Sequence, residues 1–153
     1  MKYKAFTRKY DNISAQIISS CEVSKPVKDI SQETEMTAFL ALWDTGASCS
    51  SISKDAAEKL GLIPDSSATI YHANGQSVVN VYDVRLALPN KALFPFVTVV
   101  EGTYSGFDLL IGMDIITKGD FSISNMNGKT TFSFRIPSCK ETDFMAEQDL
   151  LEF

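Results

Sequence analysis

Asp44 is the residue in this chain whose setting asks for a chemical explanation. It follows the apolar run Phe39-Leu40-Ala41-Leu42-Trp43 and opens a tight turn of Thr45, Gly46 and Ala47. A charge at the end of a buried strand is costly unless something uses or neutralises it. A carboxylate held in such a place can act as a general base or acid. Asp-Thr-Gly is also an ordinary turn sequence, so the tripeptide becomes specific only through its flanks. Downstream, Asp108-Leu109-Leu110-Ile111-Gly112-Met113-Asp114 repeats the form, with two large apolar residues, Ile, then Gly. Metal chemistry is poorly provided for. The chain has one histidine and three distant cysteines, Cys21, Cys49 and Cys139, with no Cys-x-x-Cys pair. Neither a metal nor another cofactor is expected.

These two segments, in this order, resemble the retropepsin-like aspartic proteases, and the resemblance runs from about Met36 to Ser138. In that family the Asp-Thr-Gly loop holds the catalytic carboxylate and the later apolar-apolar-Gly stretch packs beside it. The resemblance therefore makes Asp44 the catalytic residue, with Thr45, Gly46 and Ala47 supporting it. The Thr45 hydroxyl would brace paired loops, Gly46 would let backbone approach substrate, and Ala47 would keep the cleft floor small. Two carboxylates sharing one proton supply both the base that activates water and the acid that protonates the leaving nitrogen. This chain has a single Asp-Thr-Gly: Asp65-Ser66-Ser67 lacks the glycine and Tyr104-Ser105-Gly106 lacks the acid. The second carboxylate must come from another molecule, so the expectation is a homodimer in which Asp44 faces its own copy.

The hairpin around His72, Ala73, Asn74 and Gly75 is similar to the flap that closes over peptide in this family. Ile70, Val78, Ile111 and Gly112 are expected along the cleft wall. His72 is left out of the mechanism. Retroviral members usually carry Asp where Ser48 stands and Arg where Met113 stands, and this chain lacks both. That places the resemblance with a bacterial or phage branch. Asp114 is expected to be a structural carboxylate, and Trp43 a core residue.

The elements that must position these residues follow from pattern. Thr37 to Trp43 is nearly continuous in apolar residues, as a strand covered on both faces would be. Ser53 is placed to cap a short helix with Asp55 in its first turn, and Gly61 stops it. Thr69 to Val79 reads as a hairpin with Asn-Gly at its tip, and its return strand alternates through Tyr82, Val84, Leu86 and Leu88. Ala15 to Val23, Phe94 to Val100 and Leu109 to Ile111 read as strands, and Gly112 opens a helical turn. Phe121 and Ile123, then Phe132, Phe134 and Ile136, flank a second hairpin signal at Asn125-Met126-Asn127-Gly128. Many short strands with little helix make an all-β domain. The resemblance sharpens this to a retropepsin-like closed β-barrel, the acid protease fold, with one or two short helices.

At 153 residues the chain has room for one domain. Residues 1–13 read as an N-terminal arm or edge strand, 14–138 as the protease-like domain, and 139–153 as an acidic tail, mobile or a marginal helix using Phe144 and Leu151. A net charge of −5 without a basic cluster argues against nucleic acid as a partner. No segment is long and apolar enough to suggest a membrane span or a signal peptide, and free thiols suit a reducing compartment, so a cytoplasmic location is expected. The leading expectation is a homodimeric aspartic endopeptidase acting on extended peptides. The alternative is a catalytically silent module that keeps the fold to bind peptide or to dimerise. A phage- or capsid-like assembly protein is a further rival. The intact Asp44-Thr45-Gly46 counts against the silent module.

Overall fold

The computed structural model describes residues 2–29 and 31–148. Leu151, which the tail helix was expected to use, lies outside them. In chain order the strands are β1 (Lys4–Lys9), β2 (Ile18–Ser24), β3 (Thr37–Trp43), β4 (Ser51–Ser53), β5 (Ser66–His72), β6 (Gly75–Ala87), β7 (Leu93–Gly102), β8 (Leu109–Ile111), β9 (Asp120–Ser124) and β10 (Thr131–Ile136). Three short helices, α1 (Lys54–Lys59), α2 (Met113–Ile116) and α3 (Phe144–Gln148), interrupt or follow them.

Seven strands form one sheet in the order β2-β3-β8-β4-β7-β6-β5, and β2 also pairs with β6, which closes the sheet on itself. The closure rests on Glu22 to Ser24 lying against Arg85 to Ala87. This is the all-β barrel that the strand pattern and the family resemblance imply. The remaining strands make a three-stranded antiparallel sheet, β1-β10-β9. The N-terminal segment is thus an edge strand, in register from Lys4 opposite Ile136 to Lys9 opposite Thr131.

Aromatic packing joins the two sheets. The Trp43 ring lies 4.9 Å from Phe134 and 5.1 Å from Phe132, centroid to centroid, and Phe6 meets Phe132 edge-on at 5.5 Å. Phe132 and Phe134 are fully buried. Trp43 Nε1 donates to Ser19 Oγ at 2.8 Å, so the buried indole N–H keeps a partner. Trp43 is a core residue that fixes the base of the Asp44 turn.

Helix α1 follows its sequence signals. The Ser53 hydroxyl accepts from the Ala56 N–H, and Asp55 sits in the first turn, where the positive end of the helix dipole favours it. Beyond Leu60, Gly61 takes φ +62°, and the N–H groups of Gly61 and Leu62 bond back to Glu58 and Ala57. That is the glycine stop expected of a Schellman cap.

Strand β3 departs from the expectation of cover on both faces. Phe39, Ala41 and Trp43 are buried, but Leu40 on the other face is 47% exposed. The outer face of β3 meets only a shallow groove shared with α1, so its apolar residues there are tolerated and not required.

The segment after β10 is tied down at its start. Asp120 accepts from the N–H groups of Cys139 (2.9 Å) and Lys140 (3.3 Å), from the Ser138 hydroxyl and from Arg135 Nε at 2.6 Å. The Cys139 N–H, then the Ser138 hydroxyl, and after them Arg135 and the Lys140 N–H hold its carboxyl well below the usual carboxylate range. A carboxyl lowered in the folded state stabilises the protein above its unfolded pKa of about 4, and that contribution fades as pH falls further. Asp120→Asn should therefore cost about 1–2 kcal/mol at pH 7. In urea titrations the gap between variant and wild type should close progressively below about pH 4. A gap that stays constant into acid would contradict this account.

Candidate functional site

The Asp44 turn is built from backbone outward. Trp43 N–H donates to the Ile17 carbonyl at 2.8 Å and Asp44 N–H to the Ile111 carbonyl at 2.9 Å, so β3 ends between two neighbouring segments. Asp44 Oδ1 accepts from the Gly46 N–H at 2.8 Å, and the Ala47 N–H reaches the Asp44 carbonyl at 3.3 Å. Among the described residues no other hydrogen bond and no cation reaches the Asp44 carboxylate. The side chain is half-buried, and Thr45 and Gly46 beside it are exposed. One oxygen is held and the other is open.

The turn is clamped from below by the Gly112 segment. Ala47 carbonyl accepts from the Met113 N–H at 2.8 Å, and the Gly112 N–H donates to Ser50 Oγ at 3.0 Å. Ser50 in turn donates its hydroxyl to Asp114 Oδ1 at 2.7 Å and its N–H to Asp114 Oδ2 at 3.1 Å. Asp114 Oδ1 also accepts from the Ile115 N–H at 3.0 Å. Asp114 is thus a structural carboxylate that ties α2 to the loop carrying Asp44. Charge-assisted bonds of this kind are among the stronger ones in a protein. Ser50, 2% exposed, was not singled out by sequence. A serine among small polar neighbours carries no periodic signal, and its partner lies 64 residues away. Where viral members would use Asp and Arg, this chain has an exposed Ser48 and a half-buried Met113. The Ser50–Asp114 pair makes the connection between loop and helix here.

The other expected site residues separate. Ile111 is 1% exposed and belongs to the core, and Gly112 is buried, so neither lines an open wall. Their part is to position Asp44, through the Ile111 carbonyl and the Gly112 N–H. Ile70 lies opposite Ser77 and Thr69 opposite Val78 in the β5–β6 ladder. Residues directly opposite share a face and neighbours alternate, so Ile70 and Val78 point to opposite faces of the hairpin. One wall cannot hold both. Val78 stands exposed beside Tyr71's side of the hairpin, and Ile70 is half-buried on the other.

The hairpin itself is present, with His72 opposite Gly75 and Ala73-Asn74 as the two turn residues. The turn is centred one residue earlier than an Asn-Gly tip, and Gly75, at φ +120°, begins the return strand. That conformation is one few residues other than glycine accept. His72 braces the tip: its Nδ1 accepts from the Asn74 N–H at 3.3 Å and its Nε2 lies 2.9 Å from Ser77 Oγ. An acceptor at Nδ1 means the proton sits on Nε2, which then donates to Ser77. All four tip residues are exposed.

Among the described residues no group of His, Cys, Asp and Glu is arranged to hold a metal ion. Cys21 is buried and its thiol is pushed up to about 12 by that burial, while Cys49 and Cys139 are exposed and free.

Comparison with known proteins agrees with this geometry. Residues 33–115, more than half of the chain, match the sequence pattern of the family described as aspartyl protease. Among solved structures, the fold is similar to a retropepsin-like aspartic protease from Rickettsia conorii, with a TM-score of 0.56 at 14% identity, over 88% of this chain and 96% of that one. It is also similar to the EIAV protease complexed with an inhibitor, with a TM-score of 0.50 at 14% identity, over 69% of this chain and 88% of that one. No curated protein matches the chain.

Proposed function

The chain belongs to the aspartyl protease family, and on that footing we propose that it is an endopeptidase whose catalytic carboxylates are two copies of Asp44 paired in a homodimer. The observation that carries this is the state of Asp44 in one chain. Its carboxylate is fixed through Oδ1 by the Gly46 N–H, open at its second oxygen, and unneutralised by any cation among the described residues. One such group offers a base without an acid. Its own copy, brought close, supplies the acid, because two carboxylates at short range share a proton. Water between them loses a proton to one carboxylate as it attacks the peptide carbonyl, and the other protonates the leaving nitrogen. Gly46, exposed and without a side chain, leaves backbone free to meet an extended peptide. The β5–β6 hairpin would close over that peptide as a lid, its tip held in shape by His72.

The test is digestion of a mixed peptide library from acid to neutral pH, with molecular mass recorded on the same samples. Cleavage by a dimer, with a bell-shaped pH dependence reporting a shared proton, is the expected result. A stable dimer that leaves the library intact at every pH would overturn the reading and favour a silent module.

A further inference from the structure

We propose that Glu101 latches the root of the β5–β6 lid through Tyr82 and Asn80, and that this latch sets how firmly the lid closes on a bound peptide. The proposal rests on the peptidase reading above and makes three residues outside the Asp44 turn positioning residues for peptide binding. The lid is a two-stranded ribbon with one attachment. β5 pairs with β6 from Ser66 opposite Val81 to His72 opposite Gly75. β7 joins β6 only from Val81 onward, where Val81 lies opposite Val100. Among the described residues, 75–80 of β6 therefore have β5 as their sole strand neighbour. A ribbon of two strands has little stability of its own, so its stiffness is decided where the third strand leaves it. Asn80 and Glu101 stand at that point, each one residue beyond the last rung between β6 and β7.

A polar cluster closes the joint. The Tyr82 hydroxyl donates to Glu101 Oε2 at 2.6 Å, and Asn80 Nδ2 donates to the same oxygen at 3.1 Å. Asn80 Nδ2 also reaches the Tyr82 oxygen at 3.3 Å. Asn80 and Tyr82 are two apart on one strand and so share a face. Tyr82 is 5% exposed and packs in the core, whereas Asn80 is exposed. Glu101 is anchored from its other side, where β7 pairs with β4 and sets it against the buried Ile52. The cluster thus runs from fixed core to the first residue of the free ribbon. The Tyr82 hydroxyl, then Asn80 and the Lys54 cation, hold the Glu101 carboxyl below its usual range against the opposing effect of its own desolvation. Burial first, then Glu101, pushes the Tyr82 phenol up. The acceptor stays ionised and the donor keeps its proton, the combination that makes a hydrogen bond strong. A second polar bond joins the same two strands, from Thr98 Oγ1 to Asp83 Oδ1 at 2.7 Å. It links directly opposite residues inside the ladder, so its loss should not reach the ribbon.

Tyr82→Phe removes the hydroxyl and keeps the ring in the core. In hydrogen exchange, amides of residues 67–72 and 75–80 should exchange about tenfold faster, with those of β2 and β3 at wild-type rates. In peptide cleavage, KM should rise about fivefold or more while kcat stays within about twofold, since a looser lid loses more freedom on binding and Asp44 is untouched. Glu101→Gln, whose amide oxygen can still accept from Tyr82, should fall between wild type and Tyr82→Phe. Thr98→Val should match wild type in both measurements. If Tyr82→Phe fails to fold, Asn80→Ala, at an exposed position, decides the matter with the same direction and a smaller effect. Lid exchange unmoved by these substitutions, a rise shared equally by β2 and β3, or a fall in kcat at constant KM would overturn the latch. Cleavage with lid exchange unmoved leaves the peptidase standing and removes only the latch. Faster lid exchange in a chain that cleaves nothing does the reverse.

Discussion

Asp44→Asn should lower peptide cleavage by about a thousandfold or more while leaving fold and dimer intact. The substitution keeps the shape of the side chain and an oxygen able to accept from the Gly46 N–H, now 2.8 Å from Oδ1. What it removes is the charge that takes a proton from water. It also removes the repulsion between two carboxylates, so the variant should dimerise at least as tightly as wild type at neutral pH. Mixing the two chains separates a paired site from two independent ones. At three parts variant to one part wild type, random exchange leaves about one dimer in sixteen with both carboxylates, so activity per wild-type chain should fall to about a quarter. Sites that work alone would keep their activity per wild-type chain unchanged. Cleavage surviving in Asp44→Asn itself would place the chemistry elsewhere.

What could be read from sequence was whatever depends on neighbours along the chain. β3 and β8 have the boundaries their apolar runs predict, because a continuous apolar segment between polar ones has few other fates. The helix cap at Ser53 and the stop at Gly61 were legible for the same reason, since both bond within a few residues of themselves. β4 was not. Ser51-Ile52-Ser53 has no strand pattern, and it is a strand only because β7 and β8 flank it. Asp44 was legible as a charge in the wrong place, but its clamp was not, since Ser50 and Asp114 meet only once the barrel has formed. Cleft-lining positions are harder to read. Ile111 is apolar and its carbonyl holds the Asp44 N–H, yet apolar character cannot distinguish a wall from the core behind it. The faces taken by Ile70 and Val78 depend on parity, which their spacing across a turn does not reveal until the register is known.

The same clamp gives a large expected loss of stability, from Gly112→Ala. Gly112 has φ −95° and ψ −172°, an extended conformation open to any residue, so backbone strain is not the reason for glycine. Space is. A Cβ there would stand 2.7 Å from both the carbonyl carbon and oxygen of Cys49, and 3.0 Å from the Ala47 carbonyl oxygen. All three atoms are backbone, so none can swing away as a side chain would. To admit the methyl group, the Asp44 loop must part from α2, lengthening the bonds from Met113 N–H to Ala47 and from Gly112 N–H to Ser50. Overpacking of this kind costs about 3 kcal/mol, and a melting temperature lower by on the order of 10 °C is expected. The comparison is Gly106→Ala. That glycine has φ +87° and open space around it, so the variant is strained in its backbone but meets nothing. It should cost about 1–2 kcal/mol and leave cleavage per folded dimer unchanged. Gly112→Ala should lower cleavage well beyond its effect on folding, because the loop it displaces carries Asp44, and misplacing a reacting group by about 1 Å costs about a hundredfold. Denaturant titration beside cleavage at a temperature where both variants are folded would check this. Equal activity in the two would mean that Gly112 supports the fold without placing the carboxylate.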